Sequence, residues 1–565
     1  MTLTRRAVPL VAATAAVGLL AAACSSSGST SPSASAATFT KGGTVTVYQT
    51  GDFEFIDPGR MYVTNADDFG QLMFRQLVSY KVAPGETTTI VPDLATNLGV
   101  ASNDDKTWTY TIQPGIKYAN GAVITTADIK WAIERTYSPL ITSGAFSSGG
   151  YGASVLVGGS SYTGPYGGKQ LASIETPNST TIIFHTTKPY PDFPYLMALS
   201  GVSAPVPQTA DTKTAYNKDP LASGPYMIPS GGYAKGKSLT LVRNPYFDPK
   251  TDPNNPAYPN GFQFNFTEDP NVVDQRMIAD QPADQASLEL TNGIQPANIP
   301  QVLSSPQLLK RVVQGPNGCE YYIAINMKRV PNQTEREALQ YAFNKQSWRE
   351  ALGGQTYGAY ASTMLPPTIH GYQAFNLFPA PATGDPTKAK QLLTQAGVPS
   401  PTLSYAFAQT PTNTKAAEAF QAGMGAAGIH ITLDPIPQAS YYTTVGDISK
   451  PYDLIDGGWC PDWPSALTIL PALFAGSAII PQGNVNWSQM NIPAVNTALS
   501  SAEIIQNQTQ ADAAWGALDK QIMGYSPALP GVYSSTFALY GSKIQNAFLS
   551  ENFGLTDLAG VAVAP

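Results

Sequence analysis

Residues 231–238, with the sequence GGYAKGKS, fit the G-x-x-x-x-G-K-[ST] pattern of loops that bind nucleotide phosphates. Such a loop follows a buried strand and opens a helix, whose N-terminus stabilises the anion. Here the preceding stretch, SGPYMIPS, is short and interrupted by proline, whereas the following stretch, SLTLVRNPYF, alternates as a strand does. We therefore predict that GGYAKGK turns one strand into the next and binds no nucleotide.

Residue types that usually carry catalysis are sparse and scattered. The sequence contains no G-x-S-x-G, H-E-x-x-H or C-x-x-C motif. Its three histidines, His185, His370 and His430, lie far apart in strand or loop contexts. We expect packed or solvent-facing histidines rather than catalytic bases or metal ligands. The sequence thus argues against an enzyme, a metal site and a cofactor.

Composition describes a globular protein with a weakly charged surface. The 565 residues predict two to four domains. Charged residues make up only 13%, the net charge is −7, and no basic cluster occurs outside the N-terminus. These features argue against nucleic acid as a partner.

The N-terminus has the pattern of an export signal. Arg5 and Arg6 precede VPLVAATAAVGLLAAAC, an apolar run that is short for a membrane span and ends in small residues. LLAAAC resembles a bacterial lipobox, with Leu20 one place early, and predicts acylation of Cys24. Residues 25–40 are rich in Ser, Ala and Pro and predict a flexible tether. We expect a lipid-anchored protein on the extracellular face of the cell membrane; the alternative is an ordinary signal peptide with an incidental cysteine.

Any site must be positioned by helices and strands, and these follow one another along the chain without steady alternation. This order favours α/β lobes over one doubly wound sheet. Thr125 and Asp128 are spaced to cap a helix, and Asp385 precedes Pro386 as a helix start. We find no internal repeat. The patterns predict strands over 41–50, 107–115 and 428–436, helices over 65–80, 124–137, 333–352 and 385–398, and a loop-rich segment over 140–170.

Several of these segments, in this order, resemble the family 5 extracellular solute-binding proteins of peptide-type ABC importers. The most specific is VPDLATNLGVASNDDKTWTYTIQPGIKYANGAVITTADIKWAIER, residues 91–135. Supporting segments are ASGPYMI (222–228), LVRNPYF (241–247), YYIAIN (321–326), TEREALQYAFNKQSW (334–348) and DPTKAKQLLTQAG (385–397). The resemblance extends over nearly all of the chain after residue 40.

The resemblance implies an α/β, two-lobed, three-domain fold of the periplasmic-binding-protein-like type (class II) that encloses ligand by hinge closure. Domain I is expected to be discontinuous. The predicted segments are 41–74, 194–318 and 531–565 for domain I, 75–193 for domain II and 319–530 for domain III.

A ligand site is implied in GGWCPDW, residues 457–463. In the peptide-binding branch, the aspartate of this motif receives the α-ammonium of the ligand, so the resemblance assigns that role to Asp462. Gly458 and Trp459 would offer backbone groups to an extended peptide. The alternative is that Asp462 caps a turn before Pro464.

Two further walls of the site are expected by resemblance; the alternative for each of their residues is a surface or packing role. One is the turn after FIDP, which contains Tyr62, Val63 and Thr64; the other is the loop with Ala145 and Phe146. The carboxylate of a peptide also needs a partner, and some relatives place arginine just before the GWC stretch, where this chain has Asp456. This departure leaves room for longer peptides or for cationic, non-peptide ligands.

The resemblance also implies a disulfide between Cys319 and Cys460, which an oxidising compartment favours; the alternative is two buried free thiols. The implied function is capture of short peptides by a monomer, which passes them to membrane permease subunits driven by cytosolic ATPases. The alternatives are a sugar, a nickel–chelate or another small solute as ligand, and a signalling receptor rather than an importer.

Overall fold

The computed structural model describes residues 39–141 and 151–565. The expected signal peptide, the expected acylation site Cys24, most of the expected tether, and Ala145 and Phe146 lie outside these residues. Residues Phe39–Pro565 form one compact unit. Within the described residues, no helix combines the length and the apolar character needed to cross a membrane.

The strands are short except for two. Their bounds are β1 Thr44–Tyr48, β2 Val78–Tyr80, β3 Ile90–Pro92, β4 Val100–Ser102, β5 Thr107–Thr111, β6 Ile174–Asn178, β7 Thr181–His185, β8 Tyr226–Met227, β9 Tyr233–Ala234, β10 Ser238–Arg243, β11 Gly261–Asn265, β12 Ser287–Glu289, β13 Val312–Ile325, β14 Gly358–Tyr360, β15 Thr402–Gln409, β16 His430–Pro437, β17 Leu454–Trp459, β18 Ala528–Leu539, β19 Ile544–Gln545, β20 Leu549–Ser550, β21 Leu555–Thr556 and β22 Ala562–Val563.

The α-helices lie between and around these strands. Their bounds are α1 Thr64–Met73, α2 Thr126–Thr136, α3 Tyr151–Val155, α4 Phe193–Met197, α5 Ser200–Ser203, α6 Pro270–Ala279, α7 Ile299–Leu303, α8 Pro306–Leu309, α9 Gln333–Ala342, α10 Lys345–Leu352, α11 Pro386–Gln395, α12 Pro411–Ala426, α13 Tyr441–Val445, α14 Leu470–Phe474, α15 Pro493–Ala502 and α16 Gln508–Met523.

Three larger sheets organise the described residues. The first has the order β12-β1-β11-β10-β8, with β9 paired to β10, and β1 runs parallel to both of its neighbours. The second has the order β14-β18-β13-β17-β15-β16, and the third is the antiparallel sheet β4-β5-β7-β6. Each sheet carries its own apolar core, and the second sheet is covered on both faces.

The long strands β13 and β18 run from one core into another. Near one end, Val312–Pro316 pairs with Ser535–Leu539, and Phe537 and Leu539 pack in a core that includes Tyr48 of the first sheet. The pairing is interrupted between Pro316 and Glu320, after which it continues within the second sheet. β13 and β18 therefore connect the core that contains Tyr48 of the first sheet to the second sheet.

The segment GGYAKGKS forms a β-hairpin, as its flanking sequence predicts. Tyr233 and Ala234 of β9 pair antiparallel with Leu239 and Ser238 of β10. The carboxylate of Asp52 accepts a hydrogen bond from the backbone N–H of Gly236 at 2.7 Å and another from the Tyr233 hydroxyl at 2.8 Å. No helix follows, and an anion would meet this carboxylate, so the segment lacks the features of a phosphate-binding loop.

The other local predictions are confirmed with two corrections. β1, β5, β16 and α11 lie where expected, and Thr125 with Asp128 forms a capping box at the start of α2. The prediction of one helix over 65–80 is wrong beyond Met73, because residues 78–80 enter β2. The helix predicted over 333–352 is interrupted at Phe343 and Asn344 and forms α9 and α10 instead of one helix. The segment over 140–170, predicted to be loop-rich, also contains the short helix α3.

One side chain from the segment after β17, a strand of the second sheet, lies in the apolar core of the third sheet. Trp463 is fully buried among the residues of the third sheet's core. Its indole Nε1 donates to Asp192 Oδ2 at 2.8 Å, and its ring lies 4.9 Å from that of Tyr151. The turn that contains Asp462 is thus in contact with two of the three sheets.

Candidate ligand-binding site

The GGWCPDW segment begins in strand β17 and continues into a turn. β17 pairs antiparallel with β13 over its full length, but with β15 only at Leu454 and Ile455. Pro461 lacks the N–H that a ladder needs, so the strand ends before it. A disulfide joins Cys460 to Cys319 of β13, with an S–S distance of 2.07 Å, and confirms the expected pairing.

Alternation along β17 leaves the backbone of Gly458 unpaired on the β15 side. The carbonyl of Asp453 accepts from Asn326, next to β13, so every second residue after it, including Trp459, faces β13 as well. Gly458 faces the opposite, open edge. A Cβ at this position would lie 2.6 Å from the Tyr321 ring, so the close approach requires glycine. The indole of Trp459 is held by a hydrogen bond from its Nε1 to the carbonyl of Thr468 at 2.8 Å.

Asp462 lies at the end of this turn and is half-buried. The Tyr151 hydroxyl donates to its carboxylate, and the Tyr62 hydroxyl is also hydrogen-bonded to it. Burial raises the pKa of Asp462 to about 6, and the two hydroxyls partly oppose this shift. Within the described residues, the groups that donate hydrogen bonds to the Asp462 carboxylate are tyrosine hydroxyls and not backbone amides of its own turn. This favours a role in a binding site over the capping of a turn.

The walls of the site come from distant parts of the chain. Asp462 opens onto a cavity of about 390 Å³. Its lining residues are Tyr62, Val63, Thr64, Asp67, Leu199, Tyr442, Gly458, Trp459, Cys460, Pro461, Asp462, Asn552 and Phe553. The predicted residues Tyr62, Val63, Thr64, Gly458 and Trp459 therefore meet Asp462 in one cavity. Ala145 and Phe146 cannot be placed, because they lie outside the described residues.

A buried ion pair fixes the turn that carries Tyr62. Asp57 accepts two hydrogen bonds from the Arg135 guanidinium, at 2.7 and 3.0 Å, and one from the backbone N–H of Gly59. Asp57 and Arg135 are both fully buried. Because a bidentate pair of this kind is geometrically specific, the FIDPGR turn is held on α2 and presents Tyr62 to the cavity.

Sequence reasoning missed a second carboxylate, Asp67 of α1. Only 7% of it is exposed, and backbone amides of Ser200 and Gly201 donate to it. Burial, and secondarily the charge of Asp462, raises the pKa of Asp67 to about 7. The acidic pair in NADDF was the available signal, but nothing in the sequence distinguishes Asp67 from its buried neighbour Asp68.

A second cavity of about 390 Å³ extends the site past the disulfide. It shares Thr64, Cys460 and Phe553 with the first cavity and continues along Tyr321 and Tyr357 to Ser534–Phe537 of β18. The first cavity is lined by the end of β17, and the second by residues of β13 and β18 on the other side of the disulfide. Their chemistry is that of a binding site: carboxylates at one end, aromatic walls and open backbone groups.

Comparisons with known proteins identify the class. The profile of Bacterial extracellular solute-binding proteins, family 5 Middle, matches residues 89–479. This is more than half of the chain, so the chain belongs to this family. The probable D,D-dipeptide-binding periplasmic protein DdpA of Escherichia coli (strain K12) is 25% identical over 456 residues, which cover 77% of this chain and 78% of that protein. The glutathione-binding protein GsiB of Salmonella typhi is 26% identical over 320 residues, 53% of this chain and 51% of that protein.

Solved structures agree on the fold. Clavulanic acid biosynthesis oligopeptide binding protein 2 superposes with a TM-score of 0.86 at 27% identity, covering 93% of this chain and 96% of that one. DppA from Helicobacter pylori, in complex with peptide STSA, superposes with a TM-score of 0.72 at 19% identity, covering 93% and 99%. The fold is therefore the α/β, two-lobed fold of periplasmic binding proteins, as the sequence resemblance implies.

Proposed function

We propose that this chain is the substrate-binding lipoprotein of an ABC importer and that it captures short peptides between its lobes. The observation that carries the proposal is the Asp462 carboxylate, which faces a cavity beside the open backbone edge of β17. A peptide in extended form would pair with this edge at Gly458 and place its terminal ammonium against Asp462. The named peptide-binding relatives support the same substrate class.

Recognition of the ammonium would rest on a charge-assisted hydrogen bond in a partly desolvated site. The hydroxyls of Tyr62 and Tyr151 hold the carboxylate in place, since burial raises the pKa of both tyrosines and keeps them protonated. The backbone of Trp459 is paired with β13, so the ring of Trp459, and not its backbone, would form a wall of the site. Asp67 would supply a second negative charge nearby.

In the assembled system, we infer a monomer held on the extracellular face of the membrane by acylated Cys24 and the tether. It would deliver peptide to permease subunits, while separate cytosolic ATPases drive import. We further propose the three-domain division given above, in which the first sheet lies in domain I and the third in domain II, while β13 and β18 of the second sheet pass from domain III into domain I. An enzymatic function, a cofactor and a nucleic-acid partner are not part of this proposal.

The substitution Asp462→Asn tests the proposal because it keeps the shape of the side chain and removes its charge. Affinity for a free-amine peptide should fall roughly ten- to a hundredfold, the equivalent of about 1.5–3 kcal/mol. The same peptide, N-acetylated, should bind the unaltered protein poorly and respond much less to the substitution. Calorimetry with both peptides measures the difference.

Glu418→Gln, on the exposed face of α12, is the matched control and should leave both affinities unchanged. Equal losses for the free and acetylated peptides would mean that Asp462 is structural. Binding of a sugar or a nickel–chelate, with no peptide bound from a mixed library, would replace the substrate class and leave the receptor fold intact.

A further inference from the structure

A smaller cavity of about 150 Å³ opens beside β17, on the face of the second sheet that is covered by α10 and α12. It shares Gly458 and Tyr442 with the cavity that contains Asp462. Its walls include Trp348 of α10, Ala416 of α12 and the tyrosines 321, 357, 441 and 442. The cavity is therefore a side pocket of the proposed peptide site, lined mainly by aromatic rings.

Asp456 supplies the carboxylate of this pocket. Its Oδ1 accepts a hydrogen bond from the Tyr405 hydroxyl at 2.9 Å. Burial raises the pKa of Asp456 to about 7, with the Tyr405 hydroxyl opposing the shift. Burial raises the pKa of the surrounding tyrosines, among them Tyr321, Tyr357 and Tyr442, and the charge of Asp456 adds to the shift.

Within the described residues, Asp456 has no cationic partner: every ion pair of this part of the chain involves other carboxylates. A desolvated carboxylate without a countercharge is costly, so its presence beside a cavity favours a function for it. Aromatic faces attract cations. Carboxylate and rings together are complementary to one ligand class, a positively charged group on an apolar stem.

We propose that this side pocket receives the positively charged side chain of an arginine or lysine residue of the bound peptide, with Asp456 as its countercharge. The proposal rests on the proposed peptide-binding function and deepens it. Along an extended peptide, every second side chain points to the same face. A peptide aligned on the open edge at Gly458 would direct one side chain past Tyr442 into the pocket. Leu352 and Trp348 would contact its apolar stem.

A positional series of tetra-alanine peptides with one substituted residue tests the proposal in the unaltered protein. Arginine is compared at each position with citrulline, which has nearly the same shape and no charge, and lysine with norleucine. At one position, arginine should bind roughly ten- to a hundredfold more tightly than citrulline, as expected for a charge-assisted hydrogen bond. A ratio near one at all positions would overturn the proposal.

The variant Asp456→Asn assigns the effect to this residue. It retains the acceptor for Tyr405, so the arginine-to-citrulline ratio, measured beside the affinity of the same variant for tetra-alanine, should drop to about one. Glu418→Gln should preserve the ratio. If Asp456→Asn does not fold, Ala416→Leu, which fills the pocket from α12, should abolish the ratio instead. A ratio that survives these changes would place the cation elsewhere and refute the assignment.

The two proposals fail in distinguishable ways. A protein that binds tetra-alanine through its free amine, but does not distinguish arginine from citrulline, would retain the proposed function and lose only the side pocket. If the protein binds none of the peptides, both the proposed peptide-binding function and the side-pocket proposal are refuted.

Discussion

Asp462 and Asp67 place two carboxylates on one cavity, and burial raises the pKa of both, to about 6 and about 7. Neither carboxylate has an ion-pair partner within the described residues, so each is partly protonated near neutral pH. An ammonium group that binds between them would favour their ionised forms. In the proposed site, ligand binding and proton release would therefore be coupled.

The coupling predicts how affinity depends on pH. A cation binds the ionised carboxylate, so affinity for a free-amine peptide should decrease as pH falls through about 6. Between pH 7 and pH 5, the protonation of Asp462 alone should weaken binding roughly tenfold. Above about pH 8 affinity should fall again, because the peptide's own amine loses its proton. Calorimetry between pH 5 and 9 measures the profile.

The acetylated peptide and the Asp462→Asn variant are the controls for this profile. Both remove one member of the charge pair, so the acidic decrease should be much shallower in each. An identical decrease in the variant would assign the titration to another group.

The sequence reached the residues whose neighbours in the chain form a recognisable motif. Asp462, Gly458 and Trp459 belong to such a motif, and Tyr62 and Thr64 follow another. Asp67, Asn552 and Phe553 line the same cavity, yet no local pattern marks them. Their contribution depends on how α1 and the C-terminal segment pack, which a single sequence does not specify.

At the scale of elements, β17 and its disulfide determine the position of the Asp462 turn. The bond joins residues 141 apart in sequence and ties the end of β17 to β13. Cys460 itself lines the cavity. The bond should therefore stabilise the fold and also hold the binding turn in place.

Replacing both cysteines, Cys319→Ser with Cys460→Ser, should reduce the free energy of unfolding by up to about 5 kcal/mol on the chain-entropy account. Peptide affinity should decrease as well, because the turn gains freedom that binding must then remove. Denaturant unfolding and calorimetry measure the two effects.

Reduction of the unaltered protein should reproduce both changes. Unchanged stability and affinity after either treatment would show that strand pairing alone positions the turn.

Element boundaries were predictable where a cap or a strong alternation exists. The capping box of Thr125 and Asp128 starts α2 as predicted, and Trp108 and Tyr110 alternate inward along β5. The end of α1 at Met73 was not predictable, since helical spacing continues in the sequence beyond it. There Ser223 and Gly224 donate backbone hydrogen bonds to the Met73 carbonyl, a contact between segments about 150 residues apart.

At the scale of the whole molecule, the family resemblance rather than residue periodicity predicted the two-lobed fold. Periodicity supported α/β lobes but could not assign strands to sheets. The first sheet, for example, pairs β1 with β11 and β12, which lie more than 200 residues later. Such pairings depend on contacts that no local pattern contains.

The burial of Trp463 has a spectroscopic consequence. Its indole follows a strand of the second sheet but lies in the core of the third, so separation of the lobes would move it into water. Of the seven tryptophans in the chain, this one should dominate a peptide-dependent shift in intrinsic fluorescence, and Trp463→Phe should remove most of that shift. A peptide-induced shift that persists in the variant would point to another indole. If Trp463→Phe removes the shift, the intrinsic fluorescence of Trp463 reports closure of the lobes in solution without an attached label.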